Sequence, residues 1–177
     1  MDSSPALRIR QLFDEYYDFV WRSLRRLGLP GADVDDAAQE VFIVLIRKWD
    51  QVLPGSEVPF LFGTCLRMAV AGRRRTAQQT ARHSSVEEGM ELSDPTATAD
   101  IHSTQVRRRR QLDELLEALP IDVRAVFVLY ELEEMTMAQI ASYLEIAPGT
   151  VASRLRHGRE LFQAQIKRFR RARAAHG

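Results

Sequence analysis

The chain is poor in residues that staple, coordinate or span. One cysteine, Cys65, excludes an intramolecular disulfide and a zinc site built on several thiolates. As a small apolar side chain it is expected in a core. No apolar run approaches the roughly 18 residues that a bilayer span needs. The start, Met1-Asp2-Ser3-Ser4-Pro5, lacks the basic and apolar stretches of a secretory signal. The expected location is therefore the cytoplasm. Strand-like alternation of β-branched residues is also lacking, and apolar positions recur at helical spacing, so the fold class is expected to be all-α. No phosphate-cradling glycine-rich loop accompanies the acidic residues, and no cofactor or metal is implied.

What is present is apolar content of 45%, enough for a core, and a segregated charge pattern behind a net charge of only +1. Residues 112–146 carry eight carboxylates against Arg124 alone, whereas residues 147–177 carry eight lysines and arginines against Glu160 alone. Segregation of this kind suggests that one face meets phosphate.

Periodicity divides the chain into two helical blocks. A first helix, about Leu7 to Leu27, has the stripe Ile9, Leu12, Phe13, Tyr16, Val20, Leu24 and Leu27, and ends at Gly28 and Pro30-Gly31. A second, about Val34 to Trp49, is expected to start on Asp33 as N-cap and to bury Val34, Ala37, Ala38, Val41, Phe42, Leu45 and Trp49. At about 100° per residue its opposite side carries Asp36, Gln39, Glu40, Ile43 and Arg47, an acidic frame around one isoleucine that suits docking. After a loop at Pro54-Gly55-Ser56, a third helix runs to about Thr76. Phe60, Leu61, Cys65, Met68 and Ala69 are expected inside; Phe62, Leu66, Val70, Arg73, Arg74 and Arg75 lie elsewhere.

Periodicity disappears from Gln78 to Thr104, where Ser84-Ser85, Glu87-Glu88-Gly89 and Ser93-Asp94-Pro95-Thr96 read as a polar linker. Arg107 to Arg110 close it. The second block has a short helix through Leu112, Leu115, Leu116 and Leu119, stopped by Pro120, and another through Val123, Val126, Phe127 and Tyr130. Thr136-x-x-Gln139 is a capping box that opens a helix with Ile140, Ala141 and Leu144 inside. Glu145-Ile146-Ala147 is the turn, and Pro148 suits the first position of the next helix. This spacing matches a helix-turn-helix. The last helix turns Val151, Leu155, Gly158 and Phe162 inward and Thr150, Ala152, Ser153, Arg156 and His157 outward. Arg154 and Arg159 flank the outward set and suit phosphates, while Arg156 can give two donors to guanine.

At these residues the chain resembles a known family. Asp35-Asp36-Ala37-Ala38-Gln39-Glu40-Val41-Phe42 is similar to the signature of region 2 in extracytoplasmic-function (ECF) sigma factors of the sigma-70 family. Leu119-Pro120-x-x-x-Arg124-x-Val126-Phe127, Ile140-Ala141 and Gly149-Thr150-Val151-x-Ser153-Arg154-Leu155 resemble region 4. The resemblance implies two small helical domains: region 2 over residues 1–77, a flexible linker over 78–106, and a region 4 helix-turn-helix over 107–177. It implies a non-enzymatic factor that binds core RNA polymerase and directs initiation at promoters with −35 and −10 elements.

By resemblance, Asp36, Gln39, Glu40 and Ile43 meet the polymerase β′ coiled coil, and region 4 presents another face to the β flap. Phe60, Arg67, Arg73 and Arg74 serve the melted −10 strand. Thr150, Ala152, Ser153, Arg154, Arg156, His157 and Arg159 serve the −35 duplex. An anti-sigma factor is the further implied partner, through which the chain could be tethered at a membrane; no small-molecule substrate is implied. The family often has Trp at Phe60, Asn at Arg67, Asp at Ala71, Gly at Glu134 and a basic residue at Ala152. These departures bear on which promoter bases are preferred. Two alternatives stay open at this point: a sigma-like decoy, and a stand-alone helix-turn-helix regulator. An enzyme using Asp33, Asp35, Asp36 and Glu40 on magnesium is disfavoured, because only Asp36 and Glu40 stack at i and i+4.

Overall fold

A computed structural model describes residues 5–82 and 100–174. They form seven α-helices and one 3-10 turn, with no strand among the described residues. The first three helices are α1 (Pro5–Arg26), α2 (Gly31–Arg47) and α3 (Glu57–Arg82), with the 3-10 turn Trp49–Gln51 between the last two. The other four are α4 (Asp100–Glu117), α5 (Ile121–Glu131), α6 (Met137–Leu144) and α7 (Pro148–Ala174).

Helices α1, α2 and α3 pack on one another around Val20, Leu24, Leu27, Val34, Ala38, Val41, Leu45, Leu61, Cys65 and Ala69. These are the apolar stripes of the three sequences brought together. Phe62, expected outside this core, is buried too. Its ring lies 6.4 Å from that of Phe19, so α1 covers a second side of α3. Helix α2 begins on Pro30 rather than Asp33, without a side-chain cap. The proline at position 30 presets the φ value that a helix entry needs.

Helices α3 and α4 run further into the polar connector than periodicity suggests. Residues 77–82 contain Ala, Gln, Thr and Arg without a breaker, and residues 100–106 contain neither Pro nor Gly, so local propensity sustains both helices. The expected linker residues Ser84, Ser85, Glu87, Glu88, Gly89 and Ser93 to Thr96 lie outside the described residues.

In the second block the middle of α5 is buried over two turns, from Val123 through Leu129. Apart from Arg124 the buried stretch is apolar, so it must be enclosed, and α6 and α7 supply part of the enclosure. Helix α7 approaches α5 closely at Gly158, where a Cβ would stand 3.1 Å from Phe127 and 3.2 Å from Val123. Phe127 and Phe162 stack nearby with ring centroids 4.9 Å apart.

The two blocks meet at a charged seam. Arg25 Nη2 donates to Asp113 Oδ2 at 2.7 Å, and Arg26 pairs with Glu133. Beside Gly28 and near Arg73 and Asp113 lies Arg124, with no exposed surface. Its Nη2 donates to the Leu119 carbonyl at 3.2 Å, while Nε and Nη1 have no hydrogen-bond partner. Burial, then the nearby Arg73 guanidinium, lowers its pKa to about 10. Nη1 occupies the space above Gly28: a Cβ there would lie 2.5 Å away. Gly28 also has φ +100°, as the left-handed residue that terminates α1 while Gly28 N–H bonds Arg25 O and Leu29 N–H bonds Leu24 O.

Glu134, at a position where the related family favours glycine, has φ +54°. Left-handed backbone costs a residue with Cβ roughly 1–2 kcal/mol. Opposite outcomes follow for two substitutions, read as unfolding midpoints in urea. Gly28→Ala should lower stability by about 1–3 kcal/mol, through backbone strain and displacement of Arg124. Glu134→Gly should hold or raise it by up to about 1 kcal/mol, because the entropy gained by the unfolded chain offsets part of the relief. Equal losses in both would show that the two turns are not held as described.

Burial pushes the Cys65 thiol up to about 12. Alkylation of native protein should therefore stay slow from pH 7 to pH 9 and track global unfolding in denaturant. Fast native labelling that rises through pH 8 would place Cys65 at the surface.

Candidate functional site

The side chains singled out from the sequence fall on three surfaces. On α2, Asp36, Gln39, Glu40 and Ile43 are all exposed, on the side away from α1 and α3. Asp35 is not part of this face. Its Oδ1 accepts from Trp21 Nε1 at 2.9 Å and Tyr17 Oη at 3.3 Å, and so pins α2 to α1. Diversion of Asp35 also breaks up the acidic run considered as a cation site, and the described residues contain no cluster of His, Cys, Asp or Glu that could hold a metal ion. Ile46, not singled out from the sequence, is 43% exposed beside Ile43 at 39%. Its spacing of three from Ile43 was the available signal.

The second surface is α3 with the loop before it. Leu53 protrudes from that loop, 71% exposed. Phe60 is half-buried on the first turns of α3. Arg67 is exposed and donates from Nη2 to Thr64 Oγ1 at 2.8 Å, while Thr64 donates to the Phe60 carbonyl at 2.8 Å. The chain of bonds lays Arg67 back along α3 toward Phe60. Arg73 and Arg74 diverge: Arg74 is exposed, whereas Arg73 is half-buried, with Nη2 3.4 Å from the Cβ position of Gly28 at the seam.

The third surface is the helix-turn-helix. Thr136 caps α6 by accepting from Gln139 N–H at 3.3 Å, and the Gln139 side chain accepts from Thr136 N–H at 2.9 Å. Glu145 ends the helix in the left-handed region, and Ile146 N–H donates to Ala141 O at 3.0 Å. This turn directs the first turns of α7 outward. Ala152, Ser153, Arg156 and His157 are exposed there, while Thr150 is half-buried and its carbonyl accepts from Ser153 Oγ at 3.0 Å.

The arginines of α7 differ in their restraint. Arg154 pairs with Asp122 at 3.1 Å, and Arg159 donates from Nε to Glu131 at 2.7 Å with its guanidinium 5.2 Å from the centre of the Tyr130 ring. The Glu131 hydrogen bond raises the Arg159 pKa further. Arg156 has no ion-pair partner among the described residues, which leaves its donors available. It lines a groove of about 380 Å³ together with Tyr130, Met137, Ala152, Leu155, Arg159, Gln163 and the carboxylate of Glu160. Tyr130, Met137 and Gln163 were not singled out from the sequence, since each comes from a different helix or helical turn. Convergent donors over a partly apolar floor can hydrogen-bond base edges and touch a thymine methyl.

No helix among the described residues is long and apolar enough to cross a membrane. Residues 12–78 match the model of Sigma-70 region 2 and residues 109–162 that of Sigma-70, region 4. The ECF RNA polymerase sigma factor SigL of Mycobacterium tuberculosis is 32% identical over 165 residues, covering 88% of this chain and 86% of SigL. SigE of Mycolicibacterium smegmatis, also named an ECF RNA polymerase sigma factor, is 28% identical over 152 residues; the match covers 85% of this chain but 58% of SigE. Among solved structures, the sigma factor RpoE in complex with the anti-sigma factor NepR from Bartonella quintana shares the fold, with a TM-score of 0.67 and 17% identity over 89% of this chain and 96% of that one. CnrH in complex with the cytosolic domain of CnrY does so with a TM-score of 0.64 and 19% identity over 90% and 87%. Two region models in order along one chain, with a relative of this identity and coverage, establish that the chain belongs to the ECF sigma factors of the sigma-70 family.

Proposed function

We propose that this chain is a working ECF sigma factor: it binds core RNA polymerase, recognises −35 and −10 promoter elements, and directs transcription initiation. The observation that carries this reading is the pairing, in one family member, of an exposed acidic and apolar face on α2 with a capped helix-turn-helix whose second helix carries no carboxylate before Glu160. Residues 1–77 act as region 2, 78–106 as the connector and 107–177 as region 4. The factor makes and breaks no covalent bond. It contributes binding energy that favours the melted promoter, and the polymerase performs the chemistry.

Asp36, Gln39 and Glu40 supply charge and polar contacts to the β′ coiled coil. Ile43, with Ile46 beside it, supplies the apolar centre that such a contact needs. Phe60 offers a ring for an unstacked base of the −10 strand, Arg67 a neighbouring cation, and Arg74 a phosphate contact. Arg73 can join them once it leaves the seam. On α7, Arg156, Ser153 and His157 meet base edges, Thr150 and Ala152 border them, and Arg154 and Arg159 reach phosphates from positions set by Asp122 and Glu131. The protein acts in the cytoplasm, and an anti-sigma factor is its regulatory partner. The two solved structures that share this fold are both complexes, one of them with an anti-sigma factor.

Run-off transcription with core polymerase and promoter fragments from the native genome tests the whole reading. Transcripts that depend on the protein are expected. Binding to core without any transcript would favour a decoy; operator binding without core engagement would favour a stand-alone regulator.

The double variant Glu40→Lys/Ile43→Asp should lower core affinity at least about 100-fold, since it removes charge and apolar complementarity at the centre of the face. Its helical circular dichroism and melting transition should persist because both residues are exposed. Retained core binding would move the docking surface elsewhere. Arg156→Ala should reduce discrimination at one −35 base pair by about 1–3 kcal/mol, measured on a panel of promoter substitutions. An equal loss on every promoter would make Arg156 a phosphate contact.

A further inference from the structure

The region 4 match ends at residue 162, but α7 continues without a break to Ala174. The added turns carry Lys167, Arg168, Arg170 and Arg171, all exposed, and no acidic residue follows Glu160. None of the four has an ion-pair partner among the described residues, in contrast to Arg154 and Arg159. The placement of three of them is not random around the helix. At about 100° per residue, Lys167 lies about 20° from Arg156, Arg170 about 40° and Arg171 about 60°. Gln163, about 20° from Arg156, joins the two ends and already lines the groove beside it. One side of α7 therefore runs from Ala152 and Ser153 through Arg156 and Gln163 to Lys167, Arg170 and Arg171. Glu160 is the one carboxylate on it, and His157 Nδ1 stands 3.9 Å from that carboxylate.

Length decides what this extension can reach. At 1.5 Å per residue, Lys167 stands about 16 Å and Arg171 about 22 Å beyond Arg156 along the axis. The major groove is only about 12 Å wide. A helix that crosses the groove with Arg156 on the bases carries Lys167, Arg170 and Arg171 past it to the phosphate wall. These side chains are long and flexible, and the ridge they form has no apolar anchor, as a protein-binding patch would. Cations on such a surface match a phosphodiester backbone.

We infer that Lys167, Arg170 and Arg171 form a second DNA-contacting ridge, which binds backbone phosphates flanking the −35 element without reading sequence. The inference rests on the sigma-factor reading above and adds a contact outside the family module. Helix α7 thereby divides recognition along its length: bases at its first turns, phosphates at its last.

The test compares holoenzyme made with the wild-type chain and with the full-length variant Lys167→Gln/Arg170→Gln/Arg171→Gln. Affinity for one promoter fragment is measured across salt concentrations, and core affinity is measured separately. Three lost phosphate contacts should flatten the plot of log affinity against log salt by about 2 to 3. Base preference at −35 and affinity for core should be unchanged. An unchanged slope in a variant that binds core normally overturns the ridge and leaves the sigma-factor reading standing. Loss of core affinity with an unchanged DNA slope overturns it too, by assigning the ridge to polymerase. If the wild-type chain fails to engage core or promoter, the functional reading falls and the ridge falls with it. Circular dichroism of the variant separates all of these from unfolding, and a single Arg171→Gln variant, with an expected slope change near 1, decides the matter if the triple variant is unfolded.

Discussion

The contact of α7 with α5 is the constraint on which the proposed nucleic-acid face depends. Helix α5 is enclosed from Val123 to Leu129, so it cannot rotate or slide without exposing apolar surface. Gly158 lets α7 lie directly on Phe127 and Val123. Asp122 and Glu131, near the two ends of α5, hold Arg154 and Arg159. Buried contact sets the distance and the flanking ion pairs set the register. Everything on the outer side of α7 inherits its direction from that arrangement, including Arg156 and the ridge beyond residue 162.

The seam between the two blocks is built differently. Its contacts include two ion pairs and one buried guanidinium. Arg25 and Arg26 have carboxylates, but Arg124 keeps two nitrogens unpaired and sits near Arg73. A charge buried without full pairing opposes the contact that buries it. The seam thus balances attraction at its ion pairs against the desolvation of Arg124.

Much of the candidate site was legible because it lies within single helices. The period of 3.6 residues separates the buried side of α2 from Asp36, Glu40 and Ile43, and the buried side of α7 from Ser153, Arg156 and His157. The capping box at Thr136 and the turn at Glu145 are local hydrogen-bond patterns written in adjacent residues. Features that depend on two helices were not legible. Phe62 looks peripheral on α3 until α1 covers it, and Asp35 looks like a member of the acidic face until Trp21 and Tyr17 take its oxygen. Tyr130 and Met137 join Arg156 only because α5, α6 and α7 converge.

The sequence by itself determined the helical class, the two-block organisation, the helix-turn-helix and the family, since each is carried by short-range pattern and residue chemistry. Only the tertiary structure decided which charged groups are available. Arg154, Arg156, Arg159, Arg73 and Arg124 are the same kind of side chain in the sequence. In the folded chain two are tethered by carboxylates, one is free over a groove, one is turned to the seam and one is buried. The physical reason is that a guanidinium on a long, flexible stem takes its role from whatever lies within a few ångströms of its head, and those neighbours come from other helices.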